Sequence, residues 1–222
     1  MSTDRHRLYG RNASPYTRRV AIAMRVLGVP FEQIALSPFS DLEAIREINP
    51  LGRVPVLCLP DGETLIESGA ILDHLLLTHD TDHSLLPASG AGRRHDLQLG
   101  ALCQTALDKG VVAGHELLLR PEPKRHAPYF LDRVNQARTA MRELEKSLAP
   151  LNSADKEIPS LGEITTAVAF DFLNGFLPQV LENESLPEIT ALSVRLEQTA
   201  PFRDQLPEVR MQLRYEPEMR AE

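Results

Sequence analysis

The chain has 222 residues, long enough for one large domain or two small ones, and a formal charge of −7 that argues against a nucleic-acid surface. Its two cysteines are too few for a disulfide framework. No apolar run approaches the roughly 20 residues that would span a bilayer.

The N-terminus, Met1 to Arg7, is polar and charged and does not read as a signal peptide, so a cytoplasmic location is expected. Arg7 to Tyr9 suits a short strand. Tyr16 to Leu27 places Val20, Ala23, Met24 and Leu27 on one helical face, with Gly28 as the stop. Phe31 to Leu36 reads as a second strand. Asp41 to Ile48 reads as a short helix ending before Asn49-Pro50. Val54 to Leu59 and Thr64 to Ile66 form a hairpin around the turn signal Asp61-Gly62. Pro55 stands just inside that apolar run, where a residue without an N–H fits a strand start, an edge or a bulge. Ser68 to Leu77 reads as a third helix. The order is β-α-β-α-β-β-α, an α/β layout with helices covering a small sheet.

Thr78 to Gly92 is rich in Asp, His, Ser, Gly and Pro and marks the linker. The division expected is 1–80, a linker 81–92 and an all-α domain 93–222. In that half Leu131, Val134, Ala137, Met141, Leu144 and Leu148 recur as one apolar stripe. Ser160 and Glu163 have the spacing of a capping box. The following run, from Ile164 to Leu177, is apolar nearly all round and reads as a buried central helix. The charged tail after Pro207 reads as frayed.

Several patterns fail. His115-Glu116 lacks a histidine at 119, so the zinc-peptidase signature is absent, and the histidines show no metal-ligand spacing. Gly90-Ala91-Gly92 lacks a strand-to-helix context. Asn12-Ala13-Ser14 and Asn183-Glu184-Ser185 are glycosylation sequons by letter only. Cys58 and Cys103 read first as small buried hydrophobes.

Glu67 and Ser68 stand where a helix begins. Orphan amides and the helix dipole there favour a carboxylate, and Glu67 suits an ammonium group. The pair would hold the α-amino acid end of a small peptide, although these residues taken alone read first as a serine cap with an acidic first turn.

Leu8-Tyr9-Gly10, Ser14-Pro15-Tyr16 through Arg19-Val20, Asn49-Pro50 through Val56, and Glu67-Ser68-Gly69-Ala70-Ile71 resemble the cytosolic glutathione transferases in order and spacing. The match is dense over residues 7 to 77; beyond it only the Ser160–Glu163 box and its helix are similar. The resemblance implies a thioredoxin-like N-terminal domain that binds glutathione. It further implies a helical domain lining the electrophile pocket near a helix from roughly Leu97 to Leu119, and a homodimer. No metal and no nucleic acid or membrane partner is implied.

The resemblance places Ser14 against the sulfur. Bringing a thiol from about pKa 8.5 to about 6.5 asks for about 2.7 kcal/mol of preferential thiolate stabilisation. One hydrogen bond to a charged group supplies about 1.5–3 kcal/mol and a helix N-terminus about 0.3–1 kcal/mol. A single hydroxyl at a helix start is therefore sufficient in magnitude. Tyr16 and Tyr9 are rival donors, and a plain helix cap is the structural alternative for Ser14. The family's proline implies a cis Val54–Pro55 bond, with the backbone of Val54 pairing to the tripeptide like an added strand. Arg53 could reach a ligand carboxylate; a solvated arginine reads equally well.

Serine rather than cysteine at 14 leaves no obvious protein nucleophile for disulfide reduction through a mixed disulfide. The expected reaction joins glutathione to a small hydrophobic electrophile. The alternatives are a non-catalytic glutathione, ligand or protein-binding module and a glutathione-dependent isomerase, the latter disfavoured by the missing Ser-Ser-Cys run around position 14.

Overall fold

The computed structural model describes residues 5–148, 158–208 and 211–215. The first half contains β1 (His6–Tyr9), α1 (Pro15–Val26), β2 (Phe31–Ile34), α2 (Leu42–Ile48), β3 (Val56–Cys58), β4 (Thr64–Ile66) and α3 (Ser68–His79). The sheet order is β2-β1-β3-β4. β1 and β2 are parallel; β1 with β3 and β3 with β4 are antiparallel. This is the thioredoxin-like βαβαββα domain expected.

The elements follow from local chemistry. α1 starts one residue early, at Pro15, because proline needs no hydrogen-bond acceptor at a first helical position and Ser14 caps it. Val20, Ile22 and Met24 are fully buried, each such burial being worth about 1.5–3 kcal/mol. Gly28, at φ +66°, ends the helix in the left-handed region. β2 stops at Ile34, short of Leu36, because the Leu36 N–H turns back to the Ile34 carbonyl at 2.9 Å. β3 is three residues rather than six, so Val54 and Pro55 stand outside the ladder. α3 runs past Leu77 to His79, and α4 begins at Gly90 rather than Arg93.

The second half is all helical among the described residues: α4 (Gly90–Leu118), α5 (Ala127–Leu148), α6 (Leu161–Phe176), α7 (Pro187–Glu197) and α8 (Ala200–Arg203). α6 opens with the full capping box: Glu163 N–H donates to Ser160 Oγ at 3.2 Å, and Ser160 N–H donates to Glu163 Oε2 at 2.7 Å. The helix is buried from Gly162 to Ala169 and packs against α4, α7 and α1. On α5 the apolar stripe begins with Phe130 rather than Leu131, which is 50% exposed.

The tail corrects the frayed expectation where it is described. The Leu213 N–H donates to the Phe176 carbonyl at 2.8 Å. Tyr215 exchanges two backbone-to-side-chain bonds with Gln179, at 2.7 and 2.9 Å, and its ring lies 5.0 Å from that of Phe130. Residues 209–210 and 216–222 lie outside the described set.

Arg18 fastens the two halves. It is 1% exposed on α1. Its guanidinium donates to the Gln205 carbonyl (2.8 Å), to Asp171 on α6 (2.9 Å) and to both oxygens of Glu197 on α7 (2.8 Å each).

Candidate functional site

Register decides where the site lies. Tyr9 at the end of β1 pairs with Ile34 at the end of β2 and with Val56 at the start of β3, and Val56 pairs with Ile66 at the end of β4. One end of the sheet therefore emits the 10–14 loop, the 35–41 loop, the Gly52–Pro55 approach and the Glu67-Ser68 helix start. Gly10 permits this crowding. Its φ is +133°, and a Cβ there would collide with the Thr17 side chain.

A cavity of about 1190 Å³ opens at this end, between the sheet domain and helices α4 and α6. Ser14, Arg53 and Val54 line it; Pro55, Glu67 and Ser68 do not. Its far wall is apolar, with Phe39, Val111, Leu118, Phe172 and Met211. His115 also lines it, edge-on to Phe39 at 6.2 Å. Burial lowers the His115 imidazole below its ordinary value.

Ser14 is half-buried and caps α1, its Oγ accepting the Thr17 N–H at a long 3.4 Å. That bond uses a lone pair and leaves the O–H to donate. Helix cap and sulfur donor are thus compatible roles for one hydroxyl.

The Val54–Pro55 bond is cis. Val54 is half-buried, and its backbone N–H and C=O have no hydrogen-bond partner among the described residues. An unspent donor and acceptor on one residue beside a cavity suit an extended peptide. Asn49 holds this approach, donating from Nδ2 to the Arg53 carbonyl at 2.9 Å. Pro55 is buried behind Val54.

Arg53 and Glu67 are both exposed and meet at 3.4 Å. Glu67 has φ +64°, uncommon for a side chain other than glycine. Ser68 is only 3% exposed and is the first residue of α3, with Glu67 rather than the serine at the cap position. Its Oγ accepts two bonds from Arg19, from Nη2 at 2.6 Å and from Nε at 3.2 Å.

The rival donors fare differently. Tyr16 lines the cavity, but its hydroxyl donates to Asp108 on α4 at 2.6 Å. Burial, and then that carboxylate, push the phenol above its ordinary value. Tyr9 does not line the cavity.

Sequence reasoning missed Arg19, Gln104, Asp108 and Glu208. The Glu208 carboxylate accepts the N–H groups of Asn12 and Ala13 at 3.0 Å each, pinning the loop that leads to Ser14. The first three belong to a polar chain, running from the buried Arg19 through the half-buried Gln104 to the exposed Asp108, that only the fold assembles. Cys103 is fully buried against Thr166, and burial pushes its thiol up to about 12. Cys58 is buried and accepts a bond from Arg7 at 3.3 Å. Among the described residues there is no cluster of three or more His, Cys, Asp or Glu suited to a metal ion, and no helix long and apolar enough to cross a membrane.

Residues 8–83 match the glutathione S-transferase N-terminal domain family. The uncharacterized GST-like protein YibF of Escherichia coli K12 is 26% identical over 168 residues, covering 76% of this chain and 82% of that protein. A glutathione S-transferase from Methylobacterium radiotolerans, solved in complex with glutathione sulfonate, superposes with a TM-score of 0.83 at 29% identity, covering 96% of this chain and all of that one. A glutathione transferase family member from Pseudomonas fluorescens Pf-5, solved with bound glutathione, superposes with a TM-score of 0.80 at 29% identity, covering 92% of this chain and all of that one.

Proposed function

We propose that the chain is a member of the glutathione S-transferase family and that it joins the thiolate of glutathione to small hydrophobic electrophiles; the family match over residues 8–83 and the likeness to two bacterial transferase structures support this reading. The observation that carries this reading is the shared cavity of Ser14 and Val54: a hydroxyl at a helix start beside a backbone amide and carbonyl that have no hydrogen-bond partner among the described residues.

In this reading the cysteinyl backbone of glutathione pairs with Val54, which Pro55 supports from behind. Ser68 and the α3 amides take the γ-glutamyl carboxylate, Glu67 takes its ammonium, and Arg53 takes a carboxylate of the peptide. The sulfur then faces Ser14. Thiolate attacks the electrophilic carbon, the leaving group departs with its electron pair, and the thiol proton passes to solvent. The apolar wall from Phe39 to Phe172 receives the electrophile and excludes water from it. The protein works as a cytoplasmic homodimer and uses glutathione as co-substrate without a metal.

Calorimetry with glutathione, followed by turnover of an activated aryl halide, tests this in wild type and Ser14→Ala. Binding is expected to change less than about threefold while kcat falls about 10- to 100-fold, the worth of one hydrogen bond to a charged sulfur. Unchanged kcat in Ser14→Ala overturns the role of Ser14. Tight glutathione binding with no turnover over a panel of electrophiles overturns conjugation in favour of a carrier.

A further inference from the structure

The stretch from Arg11 to Ser14 is a tight turn, closed by the Ser14 N–H donating to the Arg11 carbonyl at 3.0 Å. The amides of its two central residues take no part in that bond, and both go to one side chain from the far end of the sequence. The Asn12 N–H donates to Glu208 Oε1 and the Ala13 N–H to Glu208 Oε2, each at 3.0 Å. A carboxylate suits this task because it presents two acceptor oxygens side by side, one for each amide.

A second set of bonds holds the same turn through its side chains. Asn12 is 7% exposed; its Nδ2 donates to Gln205 Oε1 at 3.0 Å, and its Oδ1 accepts Gln33 Nε2 from β2 at 2.9 Å. Gln205 is buried in turn, and its carbonyl accepts the Arg18 guanidinium at 2.8 Å. The segment from Gln205 to Glu208 is thus fastened to α1 and to the turn together. Pro207 and Met211, beside it, line the cavity. None of these bonds takes part in the conjugation step itself, yet they end one residue before Ser14.

We propose that Glu208 is a positioning residue for Ser14: by holding the two central amides of the turn, it sets where the Ser14 hydroxyl stands relative to the sulfur of glutathione. The inference rests on the glutathione reading above and adds to it a residue from the carboxyl-terminal segment. A misplacement of about 1 Å can cost a reaction about 100-fold, and Ser14 is the last residue of the turn that Glu208 fixes. The role is geometric. Glu208 is exposed, and a negative charge near the site disfavours a thiolate, so its electrostatic effect opposes the reaction. The other charges at the turn are paired elsewhere, Arg11 with Asp41 at 3.8 Å and Arg18 with Asp171 and Glu197.

The test measures kcat, KM for glutathione and the pH profile of kcat with an activated aryl halide. It compares wild type, Glu208→Gln, Glu208→Ala, Ser14→Ala and the Glu208→Gln/Ser14→Ala double variant. Glutamine keeps one acceptor oxygen but sets an NH2 group against the second amide. Because Glu208 is exposed, both of its variants are expected to fold, with Tm within about 4 °C of wild type. In Glu208→Gln, kcat should fall about 3- to 10-fold while KM for glutathione changes less than about twofold, and Glu208→Ala should lose at least as much. The pH profile of kcat reports the bound thiol, whose pKa should rise as the Ser14 hydrogen bond weakens. Loss of the negative charge alone would lower that pKa, so the direction of the shift separates geometry from electrostatics. The double variant should be no slower than Ser14→Ala, since Glu208 acts through Ser14. An unchanged kcat in Glu208→Gln, a lowered pKa, or losses that multiply in the double variant overturn the role of Glu208 and leave the glutathione reading standing. A wild type without turnover overturns the conjugation reading itself, and this inference with it.

Discussion

The hydroxyl of Tyr16 lies 2.6 Å from a carboxylate oxygen of Asp108 and donates its proton there. The same oxygen accepts Gln104 Nε2 at 2.8 Å. A donor already committed to a full charge is a poor second donor to a thiolate. Tyr16→Phe is therefore expected to keep kcat within about threefold of wild type, well short of the roughly tenfold or greater loss that follows removal of a hydrogen bond to a charged reacting atom. Steady-state kinetics of the two proteins side by side checks this; a drop comparable to that of Ser14→Ala would return the sulfur to Tyr16.

Ser14 also separates two chemistries. Its replacement by cysteine puts a thiol at the start of α1, where the helix dipole lowers a thiol's pKa. Ser14→Cys is expected to form a mixed disulfide with oxidised glutathione, which a second glutathione resolves. Intact mass measurement should show one added glutathionyl group, absent in wild type. The buried Cys103 cannot mimic the result, since its thiol is held near 12.

Glu67 sits at φ +64° with an exposed side chain. Such a backbone costs about 1–3 kcal/mol for a residue with a Cβ, against about 0.5–1 kcal/mol of extra entropy lost by glycine on folding. Glu67→Gly should raise Tm by about 2–4 °C and weaken glutathione binding about tenfold through loss of the ammonium partner. Thermal melts paired with calorimetry check both signs; a fall in both quantities would assign Glu67 to structure alone.

Arg18 bonds Asp171, Glu197 and the Gln205 carbonyl at once while 1% exposed. Breaking a buried pair by removing one partner costs about 3–5 kcal/mol. Arg18→Gln should lower Tm by on the order of 10 °C. Arg53→Ala, which deletes a solvent-exposed pair with Glu67, should shift it by no more than about 1 kcal/mol's worth. Differential scanning calorimetry of the two variants gives the contrast directly.

Acid should weaken the fold through His115. Burial lowers its folded pKa, whereas the unfolded chain takes up the proton near pH 6.5. The unfolded state then binds more protons as pH falls, so the stability is complete above about pH 6.5 and is lost as pH drops through the folded value. Tm should fall between pH 7 and pH 5, and less so in His115→Phe. Some of the fall should persist, because His6 is lowered in the same direction by burial and by the nearby His79. Identical pH profiles for wild type and His115→Phe would dismiss the contribution.

Much of the first half was legible because its signals are local. Gly28, Pro55 and Asp61-Gly62 each dictate backbone geometry at their own position, and the apolar residues between them alternate or recur at the spacing of the element they form. Boundaries moved by one to three residues where a single atom decided them, as with the Leu36 amide that closes β2. The helical half reads as helices, but Phe130 and Leu131 are equally apolar in the letters, and only packing in the fold, which buries Phe130 in the core and leaves Leu131 50% exposed, distinguishes them. Arg18 and Arg19 look alike in the letters. Their positions on α1 differ by about 100°, which sends one toward α6 and α7 and the other toward α3 and α4. The charged tail after Pro207 reads as frayed because its letters say nothing of Phe176 and Gln179, tens of residues earlier, to which Leu213 and Tyr215 bond.

The Arg18 clamp also orders events in time. Synthesis runs from the amino end, so α1 leaves the ribosome some 180 residues before Glu197 and Gln205 arrive to receive its guanidinium. Until Asp171 arrives, the nascent thioredoxin-like half holds an unmatched cation on the face it must later bury. Translation terminated before that point yields a first half with that face open to water, and the later helices are what remove it.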